Sequence, residues 1–223
     1  LVAWAVAAAS QSLVSGGLGG VFIGLGIIVW LIVITNASNF MDGSNGLAMG
    51  SLGIMLLGLF PLYAILLFCW GDCVRQPVSE MAMLAQFAAF GAVAGFLVWN
   101  MRGALYAGDT GAIGAGSLFG LMAAHLLGWS TDGARAALYV LTISLPFLVD
   151  VLLTLAWRSL KGRNILKAHT DHAYQRMRAK GWSHLRTALV WWGMTGLCSL
   201  AAAISLFIEA DNSVNADRFR VCR

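Results

Sequence analysis

The sequence predicts an all-α fold, a polytopic bundle of transmembrane helices with six full spans and a partial first one. Three observations predict it. Of the 223 residues, 59% are hydrophobic and only 11% charged, with a mean hydropathy of +0.78, which is too apolar for an ordinary soluble surface. Apolar runs near or above the ~18-residue length of a bilayer-crossing helix recur along the whole chain. A lipid-exposed segment outside a barrel must satisfy its own backbone hydrogen bonds, and a helix does so within the segment.

In chain order, the opening LVAWAVAAASQSLVSGG is about half a span long and has neither an initiator Met nor the basic stretch of a signal peptide. It reads as the stump of a seventh span whose upstream part is missing. Full spans are predicted at Gly17 to Thr35, Gly46 to Trp70, Val78 to Trp99, Ala112 to Trp129, Ala134 to Trp157 and Thr187 to Ile208. The only long polar stretch separates the last two, so residues 1–208 form one membrane domain with a sizeable loop at 158–186, and residues 209–223 form a polar tail. The cysteines Cys69, Cys73, Cys198 and Cys222 make no metal-ligand pattern, since CWGDC is a lone pair at i and i+4 beside a span end.

If consecutive spans alternate in direction, the connections near Asn36 to Asn45, near Asn100 to Asp109 and from Arg158 to Arg186 fall on one side. Eight of the fourteen Lys and Arg residues lie between Arg158 and Arg186, and Arg102 adds a ninth charge there. The opposite short loops hold only Arg75 and Arg135, although the tail adds Arg218, Arg220 and Arg223. The bias of Lys and Arg toward cytoplasmic loops makes the first side the cytoplasm. This asymmetry signals sidedness and gives no footprint for nucleic acid.

Three polar clusters occupy that side. In NASNFMDGSNGLA, the residues Asn36, Asn39, Asp42 and Asn45 recur every third position, so neighbours fall on adjoining faces of a helix or tight turn and can share one pocket. Gly43 and Gly46 suggest a helix break, which membrane depth tolerates where backbone lines a watery cavity; a solvated loop or helix cap is the plain alternative. In YAGDTGAIGAG, Asp109 precedes Gly111, Gly114 and Gly116 at a span start. A helix beginning there offers free N–H groups to an anion, and Asp109 can hold a divalent cation; equally, Asp109 can be an N-cap and the glycines packing residues.

In KAHTDHAYQRMR, His169 and His172 stand amid Lys161, Arg163, Lys167, Arg176 and Arg178, a constellation able to grip phosphate or to lie against anionic headgroups. Zinc lacks a third His or Cys ligand nearby. A further acid, Asp150 in LPFLVDVLL, falls inside a span at a cost of about 2.5 to 3.5 kcal/mol unless it finds a partner or a cavity. It precedes Arg158 by eight residues, roughly 12 Å along a helix, which places it near the same rim. Two acidic clusters and a basic His-bearing loop on one rim suit magnesium and a phosphorylated substrate.

NASNFMDGSNGLA, YAGDTGA and AHTDHAYQ, in that order, with PFLVD and the span pattern, resemble the polyprenyl-phosphate N-acetylhexosamine-1-phosphate transferases over roughly residues 1–208. AHTDHAYQ looks closest to the branch that starts lipopolysaccharide O-antigen or related surface glycans. The resemblance implies transfer of a sugar 1-phosphate from a UDP-N-acetylhexosamine to a polyprenyl phosphate such as undecaprenyl phosphate, with release of UMP. It implies Mg2+ (with Mn2+ as a substitute), a multi-pass place in the bacterial cytoplasmic membrane with the site facing the cytoplasm, and room for a homodimer.

By position, the resemblance implies that Asp109 is the metal ligand and that Asp42 is a second catalytic carboxylate. It places Asn36 and Asn39 in the pocket, Tyr106 against uracil, Asn100 near the base, and His169, His172 and Arg163 on phosphate. Asn45 stands where the family often has a second aspartate and retains a hydrogen-bonding role toward substrate. The Asn100 to Asp109 interval is one residue short of the family's. The family's adjacent aspartate pair is expected upstream of Leu1, so the 223-residue chain is expected to be inactive alone. From other classes, a transporter or channel also explains Asp150 and glycine-broken helices but not the basic loop. A CDP-alcohol phosphatidyltransferase needs several acids on one helix, and DGSNGLA has one.

Overall fold

The computed structural model describes residues 17–68, 77–129, 133–164, 167 and 169–221. The short first segment and Cys69, Cys73 and Cys222 lie outside them. Among the described residues the regular elements are seven helices: α1 (Gly17–Phe40), α2 (Leu47–Phe68), α3 (Pro77–Met101), α4 (Gly108–Trp129), α5 (Gly133–Leu160), α6 (Ala173–Ala179) and α7 (His184–Val221). Five are long and apolar enough to cross a membrane, over Leu47–Ala64, Met81–Met101, Gly108–Leu127, Gly133–Leu160 and His184–Ile208. Helix α1 adds a shorter apolar stretch, Gly24–Phe40, within its 24 residues. The protein is a polytopic helical membrane protein.

Each long helix coincides with a predicted span, but three extend past the apolar run. Helix α1 continues to Phe40 and therefore carries Asn36 and Asn39 on its last turns. Helix α4 starts at Gly108, which puts Asp109 in its first turn. Helix α7 runs to Val221, so the tail is helical through that residue. Hydropathy marks where a helix meets lipid, and backbone hydrogen bonding continues where the chain leaves it.

The core forms around α2, which packs against α3, α4, α5 and α7, while α1 lies on α4 and α5. In lipid, helices associate through close packing and cross-helix hydrogen bonds, and glycines open both. A Cβ on Gly50 would sit 2.1 Å from Trp192 Nε1, and one on Gly116 would sit 2.4 Å from Ser38 Oγ. The Trp192 indole donates to the Gly46 carbonyl at 3.0 Å and the Trp30 indole to the Gly120 carbonyl at 3.1 Å. Tyr139 donates to the Gly58 carbonyl, and Gln86 to that of Leu56. Outward faces stay apolar: Phe22, Leu84, Leu138, Leu153 and Leu197 are each more than half exposed, as lipid contact requires.

Candidate active site

The turns joining α1 to α2 and α3 to α4 and the segment joining α5 to α7 meet at one end of the bundle, as alternating spans predict. Helix α1 ends with the Met41 amide on the Ala37 carbonyl and the Asp42 amide on that of Asn39. The chain then turns back through Gly46, whose φ of +79° is a conformation that side chains with a Cβ resist. The Gly46 amide donates to Asn100 Oδ1 at 2.6 Å, and Asn100 Nδ2 donates to the Leu105 carbonyl at 2.9 Å. Buried Asn100 therefore ties the two turns together with both ends of its carboxamide.

Tyr174 of α6 fixes the other side of the Asp42 turn. Its hydroxyl donates to the Phe40 carbonyl at 2.8 Å and accepts from the Gly43 amide at 3.1 Å, an approach that any Cβ at Gly43 would block. Burial pushes the phenol up to about 12, so it stays a neutral donor. His184 at the start of α7 braces the following residues: Nδ1 lies 3.0 Å from both Ser44 Oγ and the Asn45 amide, and Arg178 approaches Nε2 at 2.8 Å.

These ties enclose a cleft of about 450 Å³. Asn39, Phe40, Asp42 and Gly43 line one wall, Gly108 and Asp109 a second, and Lys167, His169, His172, Tyr174 and Gln175 the third. Burial pushes the Asp42 carboxyl up from 3.8 to about 6, and the nearby charge of Asp109 adds to the shift. His172 is buried and stacks on Phe40, on Tyr174 and, with ring centroids 5.0 Å apart, on His169. Burial and then the charges of Arg158 and His172 draw His169 below its ordinary pKa, against a smaller opposing effect of Asp171. The cleft thus sets two carboxylates against two imidazoles and a lysine.

The basic segment is held from beneath. Arg158, buried at the end of α5, donates to the Asp171 carboxylate and to the Asn164 carbonyl at 2.7 Å. The Arg158 hydrogen bond holds the Asp171 carboxyl below its ordinary range, with Arg163 adding at 3.7 Å. Asp150, the intramembrane acid, accepts from the Ala173 amide at 2.8 Å.

Of the residues singled out by sequence, Asn39, Asp42, Asp109, His169 and His172 come together in the cleft. Asn36 does not line it, because its amide turns back to the Ile32 carbonyl at 2.7 Å. The Asn45 side chain lies toward Gly103. Asn100 is spent on the turns, Tyr106 is 71% exposed beside the cleft, and Arg163 sits over the Trp157 ring at 4.8 Å. Tyr174, Lys167 and Gln175 enter without having been singled out for the cleft, and His184 braces its rim; AHTDHAYQ contains the signal for two of them. A larger groove of about 780 Å³, apolar except at its polar end, runs between α5 and α7 up to Asp171, Ala173 and Arg176. The smaller cleft is the candidate site, since there two carboxylates from separate turns face two imidazoles and a lysine.

No group of three His, Cys, Asp or Glu side chains among the described residues could hold a metal alone. Two carboxylates facing basic side chains across one cleft do fit magnesium, which takes one or two carboxylates and completes its shell with phosphate oxygens and water.

A sequence profile of glycosyl transferase family 4 matches residues 2–127. Among curated proteins, the chain is 29% identical over 196 residues to the decaprenyl-phosphate N-acetylglucosaminephosphotransferase of Mycolicibacterium smegmatis, covering 80% of this chain and 46% of that one. It is 31% identical over 172 residues to the phospho-N-acetylmuramoyl-pentapeptide-transferase of Levilactobacillus brevis, covering 75% and 47%. The corresponding transferase of Staphylococcus aureus is 29% identical over 177 residues, with 78% and 48% covered. The chain spans about half the length of the curated relatives it matches.

Proposed function

The chain belongs to glycosyl transferase family 4, and from that premise we propose that it transfers an N-acetylhexosamine 1-phosphate from a UDP-sugar to a polyprenyl phosphate, releasing UMP. The names of the relatives support the acceptor and sugar classes. The observation that carries the reading is the opposition of Asp42 and Asp109 to His169, His172 and Lys167 across one cleft. Such a transfer brings two anions together, an acceptor phosphate and a sugar-linked diphosphate, and it proceeds only where charge is neutralised and the reacting groups are held in place.

In this reading Asp109 and Asp42 hold Mg2+, or Mn2+ in its stead. The cation supplies charge neutralisation to the diphosphate when bound. Lys167, His169 and His172 donate to phosphate oxygens from the opposite wall. Asn39 hydrogen-bonds nucleotide or sugar, and exposed Tyr106 offers its ring to the base. The acceptor reaches the cleft from the membrane, since the apolar groove along α5 and α7 ends at the segment that forms the histidine wall. The product is a polyprenyl-diphosphate sugar, the first lipid-linked intermediate of a surface glycan, made on the cytoplasmic face of the inner membrane.

The test is incubation of the full-length protein, with the upstream aspartate pair that the resemblance implies, in membranes with a panel of UDP-N-acetylhexosamines and undecaprenyl phosphate, measuring UMP and lipid-linked sugar. Equimolar UMP and lipid product is expected. Movement of the sugar nucleotide across proteoliposomes without UMP release would replace this reading with transport.

A further inference from the structure

We propose that Asp150 is a positioning residue of the cleft: from inside membrane helix α5 its carboxylate seats the start of α6 and turns His172 toward the substrate. The role rests on the reading of the cleft as a sugar-nucleotide site. Only 8% of Asp150 is exposed, and both its oxygens are directed at one place. Oδ1 accepts from the Ala173 amide at 2.8 Å, and Oδ2 lies 3.5 Å from His172 Nδ1. Neither Oδ2 nor Nδ1 has a hydrogen-bond partner, so each is the other's polar counterpart.

A carboxylate facing Nδ1 fixes which edge of an imidazole is presented elsewhere, the orienting role that carboxylates play behind ligand and catalytic histidines. With Nδ1 facing Asp150 Oδ2 at 3.5 Å, His172 has Nε2 left for the cleft it lines. The same contact reaches the acidic wall. Asp150 fixes His172 and Ala173, the next residue Tyr174 holds the Phe40 carbonyl and the Gly43 amide, and Asp42 lies between those two. An acid at this depth costs about 2.5 to 3.5 kcal/mol when unpartnered, and the Ala173 amide and His172 offset that cost.

Asp150→Asn tests the role because it keeps an oxygen for the Ala173 amide and removes the charge facing His172. The expected result is a KM for UDP-N-acetylglucosamine raised about tenfold, with kcat changed less, in keeping with loss of one oriented donor to phosphate. Introduced into His172→Ala, the same change should add less than about twofold, because the two residues act as a unit. Effects that simply multiply would overturn the assignment. Independently of any substrate, Asp150→Ala should raise amide exchange across residues 169–176 about tenfold or more while leaving α2 and α4 unchanged. Unchanged exchange there also overturns it. If the unaltered full-length protein uses no UDP-sugar, the reading of the reaction falls, and amide exchange still decides whether Asp150 positions the segment.

Discussion

At Asp42, burial and then the charge of Asp109 act in the same direction and push the carboxyl up from 3.8 to about 6. Between those values the folded protein holds a proton that the unfolded chain has released, so in cation-free protein this group's contribution to stability is lost as pH rises through about 6. A cation needs the ionised form, so its affinity should fall as pH drops through the same range. Asp109→Asn removes the lesser cause. It should move the Asp42 midpoint down, measured by infrared difference spectroscopy against Asp42→Asn, but burial should keep it above the ordinary value. The same Asp109 substitution keeps size and removes the charge facing the cation, so transfer should fall by about a hundredfold or more with membrane insertion intact. Near-normal turnover would remove Asp109 from the metal site. His169→Ala should weaken UDP-sugar binding by about tenfold through loss of one donor to phosphate; unchanged affinity would leave the basic loop a topological signal. Sequence shows at this scale which polar residues share a rim. It does not show that Asn36 and Asn100 spend their amides on backbone carbonyls, because those partners exist only once the helices and turns have formed.

Helix packing sets the distance between the acids. Asp42 follows α1 and Asp109 opens α4, and the two helices approach where Gly116 meets Ser38 and Gly120 meets Ile34. Gly116→Leu should force α1 and α4 apart, lowering both thermal stability and kcat/KM, whereas Gly114→Leu, with open space around its Cβ position, should do neither. Equal loss from both would mean that the acid pair is held by the turns alone. Tyr174→Phe keeps the ring and deletes the bridge across the Asp42 turn, a stability loss of about 1 kcal/mol. The long helices are legible because each is an apolar run of bilayer length. Helix α6 is not, since AYQRMRA has no such run and begins where Asp150, 23 residues earlier, supplies its first partner.

For the whole molecule, the convergence of three connections at one end leaves the choice of membrane side to charge. Arg102 and the eight Lys and Arg residues from Arg158 to Arg186 belong to the end that carries the cleft, and retention of such charges in the cytoplasm orients multi-span proteins. The three arginines at 218, 220 and 223 follow the last span on the other side, and charges after the final helix can compete with those between helices. Single cysteines at exposed Tyr106 and Lys161, introduced as Tyr106→Cys and Lys161→Cys into a background lacking the four native cysteines, separate the two orientations. A membrane-impermeant maleimide should leave both unlabelled in intact cells and label both in inverted vesicles. Gly133→Cys, at the exposed start of α5 on the opposite end, should show the reverse pattern. Labelling of the first two from outside would place the cleft away from the cytosolic supply of nucleotide sugars, and the proposed donor could not reach it.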